Sequence, residues 1–201
     1  LDLSELRDCD AVIARGRCNR DVLLGTSHLF TRDVFCFWED RGEVRMQLKP
    51  HAPGIRKFSE QALTAKARTI IKSMRASKDS GKAVMFYSCI IGSIPGQTAT
   101  AIKVADTFVR SLRERLDQVF IINPAEYFEP GMDGDDLMFM WEQVQRSGLI
   151  NIWRFQSMED IEASFGLMGL KVPPVWSGKD ATFSTGCTKE MRIALDMQRS
   201  H

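Results

Sequence analysis

Ala83-Val-Met-Phe-Tyr-Ser-Cys-Ile90 decides the fold. Eight residues without a charge, rich in β-formers, are what a strand buried on both faces of a parallel sheet requires. The turn cluster Lys78-Asp-Ser-Gly81 precedes the run, and a loop containing Gly92, Pro95 and Gly96 follows it. Beyond that loop Thr98 is placed to cap a helix, and Ile102, Ala105, Val109, Leu112 and Leu116 recur at helical spacing. Val119-Phe-Ile-Ile122 reads as a second buried strand ending in Asn123-Pro124, and a helix over 137–146 closes near Gly148 before Leu149-Ile-Asn-Ile-Trp153, a third strand. Strand, helix, strand, helix, strand predicts an α/β fold with a doubly wound, Rossmann-like parallel sheet. The strand at 83–89 should be central, with helices on both faces. Ligands of such sheets bind beyond the carboxyl ends of the strands, which puts loops 89–97 and 123–136 and the segment before the last helix on one rim.

Further along, 158–170 reads as a short helix with a loop, Val172-Pro-Pro-Val-Trp176 as extended, and 186–198 as a final helix opening at Ser184-Thr185-Gly186. Upstream lies an α+β extension. Asp10-Ala-Val-Ile-Ala14 reads as a strand, and Val34–Trp38 and Val44–Leu48 as a hairpin about the turn at 39–43. A helix over 56–77 carries the apolar stripe Leu63, Ala67, Ile70 and Met74. The expected organisation is therefore an N-terminal extension over 1–80 and a doubly wound domain over 81–201.

Composition narrows function. With 201 residues, 44% of them hydrophobic and 26% charged, the chain has globular averages, which excludes collagen, coiled coil and disorder. Lys and Arg number 27 against 26 Asp and Glu, a net charge of +1, so no global field favours nucleic acid or a membrane surface. The cations Arg56, Lys57, Lys66, Arg68, Lys72 and Arg75 are spread around their helix without interleaved aromatics, and a solvated face is the better reading than an RNA or DNA site. The longest nearly uncharged stretch, 83–103, holds Gly92, Pro95, Gly96 and Gln97 and cannot span a bilayer. Five widely spaced cysteines without a C-x-x-C pair, and three scattered histidines, predict reduced thiols, a cytoplasmic protein, no metal site and no cofactor.

The segment richest in chemistry is Ser184-Thr-Gly-Cys-Thr-Lys-Glu190. Hydroxyls and a glycine at a helix opening suit an anion, because unpaired N–H groups and the positive end of the dipole converge there. Glu190 follows in the second turn; the competing reading is an ordinary cap with a solvated carboxylate.

Taken with Gly92-Ser93-Ile94-Pro95-Gly96, Asn123-Pro124 and the acidic helix start at Asp135-Asp136 with Trp141, this segment resembles the nucleoside 2-deoxyribosyltransferase-like superfamily over residues 82–199. The resemblance implies that Glu190 attacks or stabilises the anomeric carbon. It also implies that Ser184, standing where deoxyribosyltransferases tend to have aspartate, accepts a 5′-phosphate as in nucleoside 5′-monophosphate N-glycosidases. Asp136 or Asp135 would protonate the leaving base, the competing reading being an acid that complements the helix dipole. Tyr87, Ser88, Cys89, Gly92, Ser93, Gly96, Asn123, Thr185 and Gly186 would line the substrate; Tyr87 equally fits a core aromatic. Where family members often have an aspartate at the start of the third strand, this chain has Gly148-Leu-Ile-Asn151. The family's sheet continues after the last helix, and Val34–Trp38 is the apolar segment expected to fill that edge.

The function expected is hydrolysis or transfer of an N-glycosidic bond of a nucleotide or nucleoside, with a small-molecule partner, a homodimer as the oligomeric form and neither nucleic acid nor membrane as partner. The alternatives are a catalytically impaired nucleotide-sensing or protein-interaction domain of the same fold, and an NAD glycohydrolase. The stretch 186–190 is also similar, without the Gly-Gly pair, to the phosphate loop of cytokinin-activating phosphoribohydrolases.

Overall fold

The computed structural model describes residues 11–25, 32–51, 58–129, 131–132 and 134–199. They divide into two compact units: one of residues up to Leu63 together with Glu129–Phe139, the other of Thr64–Phe128 and the chain from Met140 onward.

In the first unit, β1 (Val12–Arg15) leads into α1 (Arg17–Gly25), followed by β2 (Val34–Asp40) and β3 (Glu43–Lys49). The sheet order is β1-β2-β3, with β1 parallel and β3 antiparallel to β2. Asp40 pairs with Glu43 across a two-residue turn in which Arg41 (φ 54°) and Gly42 (φ 84°) are both left-handed, the geometry that matches the twist of a tight hairpin. Val12, Ala14, Leu23, Val34 and Cys36 form its small core. The hairpin stands as expected, whereas the first strand runs to Arg15, with Asp10 outside the described residues. Val34–Trp38 does not take an edge of the other sheet, because β2 is hydrogen-bonded on both sides by β1 and β3.

Helix α2 (Glu60–Asp79) begins after Ser59, whose Oγ accepts from the Ala62 amide at 3.2 Å. It buries Leu63, Ala67, Ile70 and Met74, the stripe read from the sequence, and leaves Arg68, Lys72 and Arg75 exposed; Arg56 and Lys57 lie outside the described residues.

The second unit is the parallel sheet: β4 (Ala83–Ser88), α3 (Thr98–Arg113), β5 (Val119–Ile122), α4 (Gly134–Gln145, entering from the first unit), β6 (Ile152–Phe155), α5 (Met158–Leu167) and α6 (Thr185–Arg199). Its order is β5-β4-β6 with both pairings parallel, so the protein is α/β with β4 central. Alternation along β4 assigns its faces. Met85 and Tyr87 pack with Ala105, Phe108, Val109 and Leu112 of α3, Tyr87 stacking on Phe108 at 5.5 Å. Phe86 meets Trp141 of α4 edge-on at 5.5 Å, and Ser88 bonds to Glu190 of α6. Helices thus cover both faces. A second cluster joins α3 to α5 through Ile90, Ile94, Ala101, Val104, Ile161, Phe165 and Trp176.

Three local expectations change. Thr98 is the first helical residue rather than the cap. Gln97 precedes it without a side-chain cap bond, its Oε1 accepting instead from Trp176 Nε1 at 3.1 Å. The third strand starts at Ile152, not Leu149, because Asn151 already closes the ladder by itself: its amide donates to Val84 O (2.8 Å) and its Oδ1 accepts from Val84 N (3.0 Å). Within 158–170 the expected short helix and loop are both present: α5 ends at Leu167, Gly169 turns left-handed (φ 70°) and Leu170 N returns to Phe165 O. Pro174–Trp176 forms a 3-10 turn rather than extended chain.

No helix among the described residues is long and apolar enough to cross a membrane. Cys18, Cys36, Cys89 and Cys187 are free thiols.

Candidate functional site at the end of the central strand

The strand β4 ends in a polar residue that is still fully enclosed. Ser88 has no exposed surface: Phe155 of β6 pairs with it, and its hydroxyl meets α6. Its partner comes from α6, where Glu190, only 6% exposed, accepts the Ser88 hydroxyl on Oε2 at 2.5 Å. On Oε1 it accepts the Gln145 side-chain amide from α4 at 2.8 Å. Both partners are neutral. Burial therefore dominates, and it pushes the Glu190 carboxyl up to about 7, with the Ser88 and Gln145 hydrogen bonds pulling the other way.

One and a half turns earlier on the same helix, Ser184 occupies the cap position. Its Oγ accepts weakly from the Cys187 amide at 3.4 Å, and its carbonyl accepts from Thr188 N at 2.9 Å. Ser93 of the loop after β4 donates to Ser184 Oγ at 2.9 Å. The Cys187 thiol, buried on the same helix, is pushed up to about 12 by burial, with Ser88 and Ser184 pulling the other way. Two hydrogen-bonded groups, Ser93 with Ser184 and the Cys187 amide, and Ser88 with Glu190 and Gln145, thus meet along the first turns of α6. They hold hydroxyls and a helix N-terminus at one end and a shifted carboxyl at the other, the combination an anionic, electrophilic ligand would use.

Of the residues expected at the site, Glu190, Ser184, Ser93 and Ser88 come together. Thr185 and Gly186 accompany them as the first turn of α6, Thr185 exposed and Gly186 half-buried. Tyr87 takes the core reading: its ring stacks on Phe108, its hydroxyl donates to Asp160 Oδ2 at 3.4 Å, and strand alternation turns it to the face opposite Ser88. Asn123 spends its side chain inside the protein, donating to Asp106 (2.6 Å) and accepting the Ala125 amide (3.1 Å) to cap the turn Pro124–Tyr127. Cys89 is buried beside it, with Sγ 3.9 Å from Asn123 Oδ1, and burial raises its thiol well above the ordinary range. Gly92 is exposed with open space around its Cα, so nothing in the fold demands glycine there, whereas Gly96 has a left-handed φ of 70° that does. Asp135 and Asp136 fall in the first turn of α4, in the part of that helix that groups with the first unit, and Asp136 is buried. Among the described residues no group of three or more His, Cys, Asp or Glu could hold a metal.

Gln145 was not foreseen. A signal for it existed: it follows Trp141 by one turn and Val144 by one residue on the buried side of α4, and an amide on an apolar face calls for a buried partner.

No protein-family model, no curated protein and no solved structure matches this chain.

Proposed function

We propose that this chain hydrolyses or transfers the N-glycosidic bond of a nucleoside 5′-monophosphate, with Glu190 acting at the anomeric carbon. The observation that carries the reading is the Glu190 carboxyl itself, buried, held by two neutral donors and shifted to about 7, at the carboxyl end of the central strand. Cleavage builds oxocarbenium character at C1′, which an ionised carboxylate in a water-poor site stabilises by charge or captures covalently. Ser184 and Ser93, with the free amides that open α6, would receive the 5′-phosphate; Ser93 is half-buried and Thr185 exposed, which gives a ligand an approach. The resemblance of 184–190 to the nucleotide N-glycosidases supports this side of the superfamily over the deoxyribosyltransferases.

The test is incubation with nucleosides, their 5′-monophosphates and NAD, following released base by chromatography. Monophosphates should be cleaved best, and kcat/KM should rise with pH through about 7 as Glu190 ionises. Glu190→Gln should keep the fold and lose on the order of 100-fold or more in base release, as removal of a charge-stabilising group does. Ser184→Asp should exclude monophosphates and spare nucleosides, since like charges at hydrogen-bond distance repel strongly. Absence of base release from every substrate overturns the reading.

A second reading, a nucleotide-sensing domain of the same fold, is favoured by one fact: both Glu190 oxygens are already engaged within the protein. A nucleotide that raises the melting temperature without losing its base would select it.

A further inference from the structure

Two polar atoms on the inner face of α4 have no partner among the described residues, although each is almost wholly buried: Gln145 Oε1 and Trp141 Nε1. Gln145 is 1% and Trp141 2% exposed. Nearly all such atoms in folded proteins are paired. Four residues apart, the two side chains lie on one helical face, one turn above the other. The orientation of the Gln145 amide follows from Glu190: the ionised carboxylate that acts at C1′ offers Oε1 only as an acceptor, so the NH2 group faces it at 2.8 Å. The amide oxygen therefore stands beside the Glu190 carboxyl, an acceptor in want of a donor.

Stereochemistry says what donor would arrive there. In a β-nucleotide the base leaves from one face of the sugar, so a carboxylate that meets C1′ from behind the leaving group lies on the opposite face. The 2′-hydroxyl of ribose projects from that same face, on the next carbon. A hydroxyl both donates and accepts, which suits an unpaired amide oxygen and an unpaired indole N–H. In retaining glycosidases the hydrogen bond to the 2-hydroxyl strengthens in the transition state. Resting on the glycosidase reading of Glu190, we infer that Gln145 Oε1 receives the 2′-hydroxyl of the substrate, making this chain selective for ribonucleotides over 2′-deoxyribonucleotides. The hydrogen bond to Glu190 then does two things at once: it fixes the carboxyl and aims the amide oxygen at the adjacent carbon.

The experiment compares the wild-type chain with Gln145→Met, which keeps length and burial and removes both polar atoms. Binding is measured by calorimetry with ribose 5-phosphate and 2-deoxyribose 5-phosphate, and base release with matched ribo- and deoxyribonucleoside monophosphates. Because ribosyl bonds are intrinsically slower to break than deoxyribosyl bonds, the kinetic readout is the change in the ribo/deoxy ratio between the two proteins. Wild type should bind ribose 5-phosphate on the order of 10- to 100-fold tighter. In Gln145→Met that preference should collapse, and the ribo/deoxy ratio of kcat/KM should fall by a similar factor. Equal binding of both sugars by wild type overturns the inference, even if base release upholds the glycosidase reading. A variant that slows both substrates equally, with the ratio intact, overturns it too and leaves Gln145 as a positioning residue for Glu190. Neither sugar phosphate bound and no base released from any nucleotide brings down the Glu190 reading and this inference with it. Should the variant fail to fold, the wild-type binding contrast decides alone.

Discussion

In the N-terminal sheet the central strand β2 buries Val34 and Cys36, leaves Phe35, Phe37 and Trp38 partly exposed, and pairs with a strand β3 whose side chains from Glu43 to Leu48 all face water. In the parallel sheet the central strand β4 hides every side chain after Ala83. The same chemical group fares oppositely in the two settings. Asp33, partly exposed in the first unit, is held below the usual carboxylate range by the amide and ring of His51, whose Nδ1 stands 2.8 Å from its Oδ1. Glu190, enclosed in the second, is raised by burial, with only neutral partners to offset it. The lesson is that a sheet covered on both faces acts on the chemistry of its end residues by excluding water, whereas a half-open sheet leaves charges to their nearest neighbours.

The largest effect should come from the enclosed strand itself. Phe86→Ala, which removes a ring packed on Trp141 and Trp153, is expected to cost about 3–5 kcal/mol in urea unfolding. Val44→Thr on β3, 79% exposed, should stay within about 0.5 kcal/mol. Comparable losses from the two would break the contrast. Next comes the titration of Glu190. The native carboxyl keeps its proton up to about 7 while the unfolded chain releases it near 4.5, so between those values the native state binds more protons and stability falls as pH rises. Glu190→Gln should abolish that slope, and at pH 8 it should be more stable than wild type by a few kcal/mol, on the order of 3. A wild-type stability profile flat from pH 5 to 8 contradicts the enclosure of Glu190. Asp33→Asn should act with the reverse sign: the native carboxyl ionises below its ordinary range, so its contribution is present above that range and fades as pH falls through the lowered value. The variant should match wild type in strong acid and differ at neutral pH only weakly, and less so in high salt, since the pair is exposed. Smaller than the Glu190 effect, Ser157→Ala removes the hydroxyl that accepts the Asp160 amide in the capping box of α5 and should cost about 1 kcal/mol by thermal melting.

Much of the parallel sheet was legible because its signals are local and redundant. The uncharged run at 83–90 and the apolar strand at 119–122 have no other stable home in water, and the apolar spacing at Ala105, Val109 and Leu112 is the buried face of α3. The third strand slipped because Leu149 and Ile150 look like strand residues, and only the partner decides register: Asn151 satisfies Val84 with its own side chain and delays the pairing to Ile152. At the site, Glu190 and Ser184 could be read from a helix opening, since spacing along one helix is fixed. What spacing along one helix cannot give is the partner from another, and Gln145, 45 residues away from Glu190, enters only through packing.

The order of strands in the parallel sheet also constrains how the chain assembles. Strand β4 must find β5 across one helix and β6 across roughly twice that length of chain. Each doubling of a closing loop adds about 0.6 kcal/mol of entropy cost, so the first pairing is the cheaper nucleus and the second follows on a surface already laid down. Glu190 is enclosed only once α6 has closed over Ser88 and α4 has brought Gln145, so its proton affinity reports the formation of these two long-range contacts. A stopped-flow pH indicator should register proton uptake near pH 6 after the secondary structure has formed, timing the moment at which water leaves the end of the central strand.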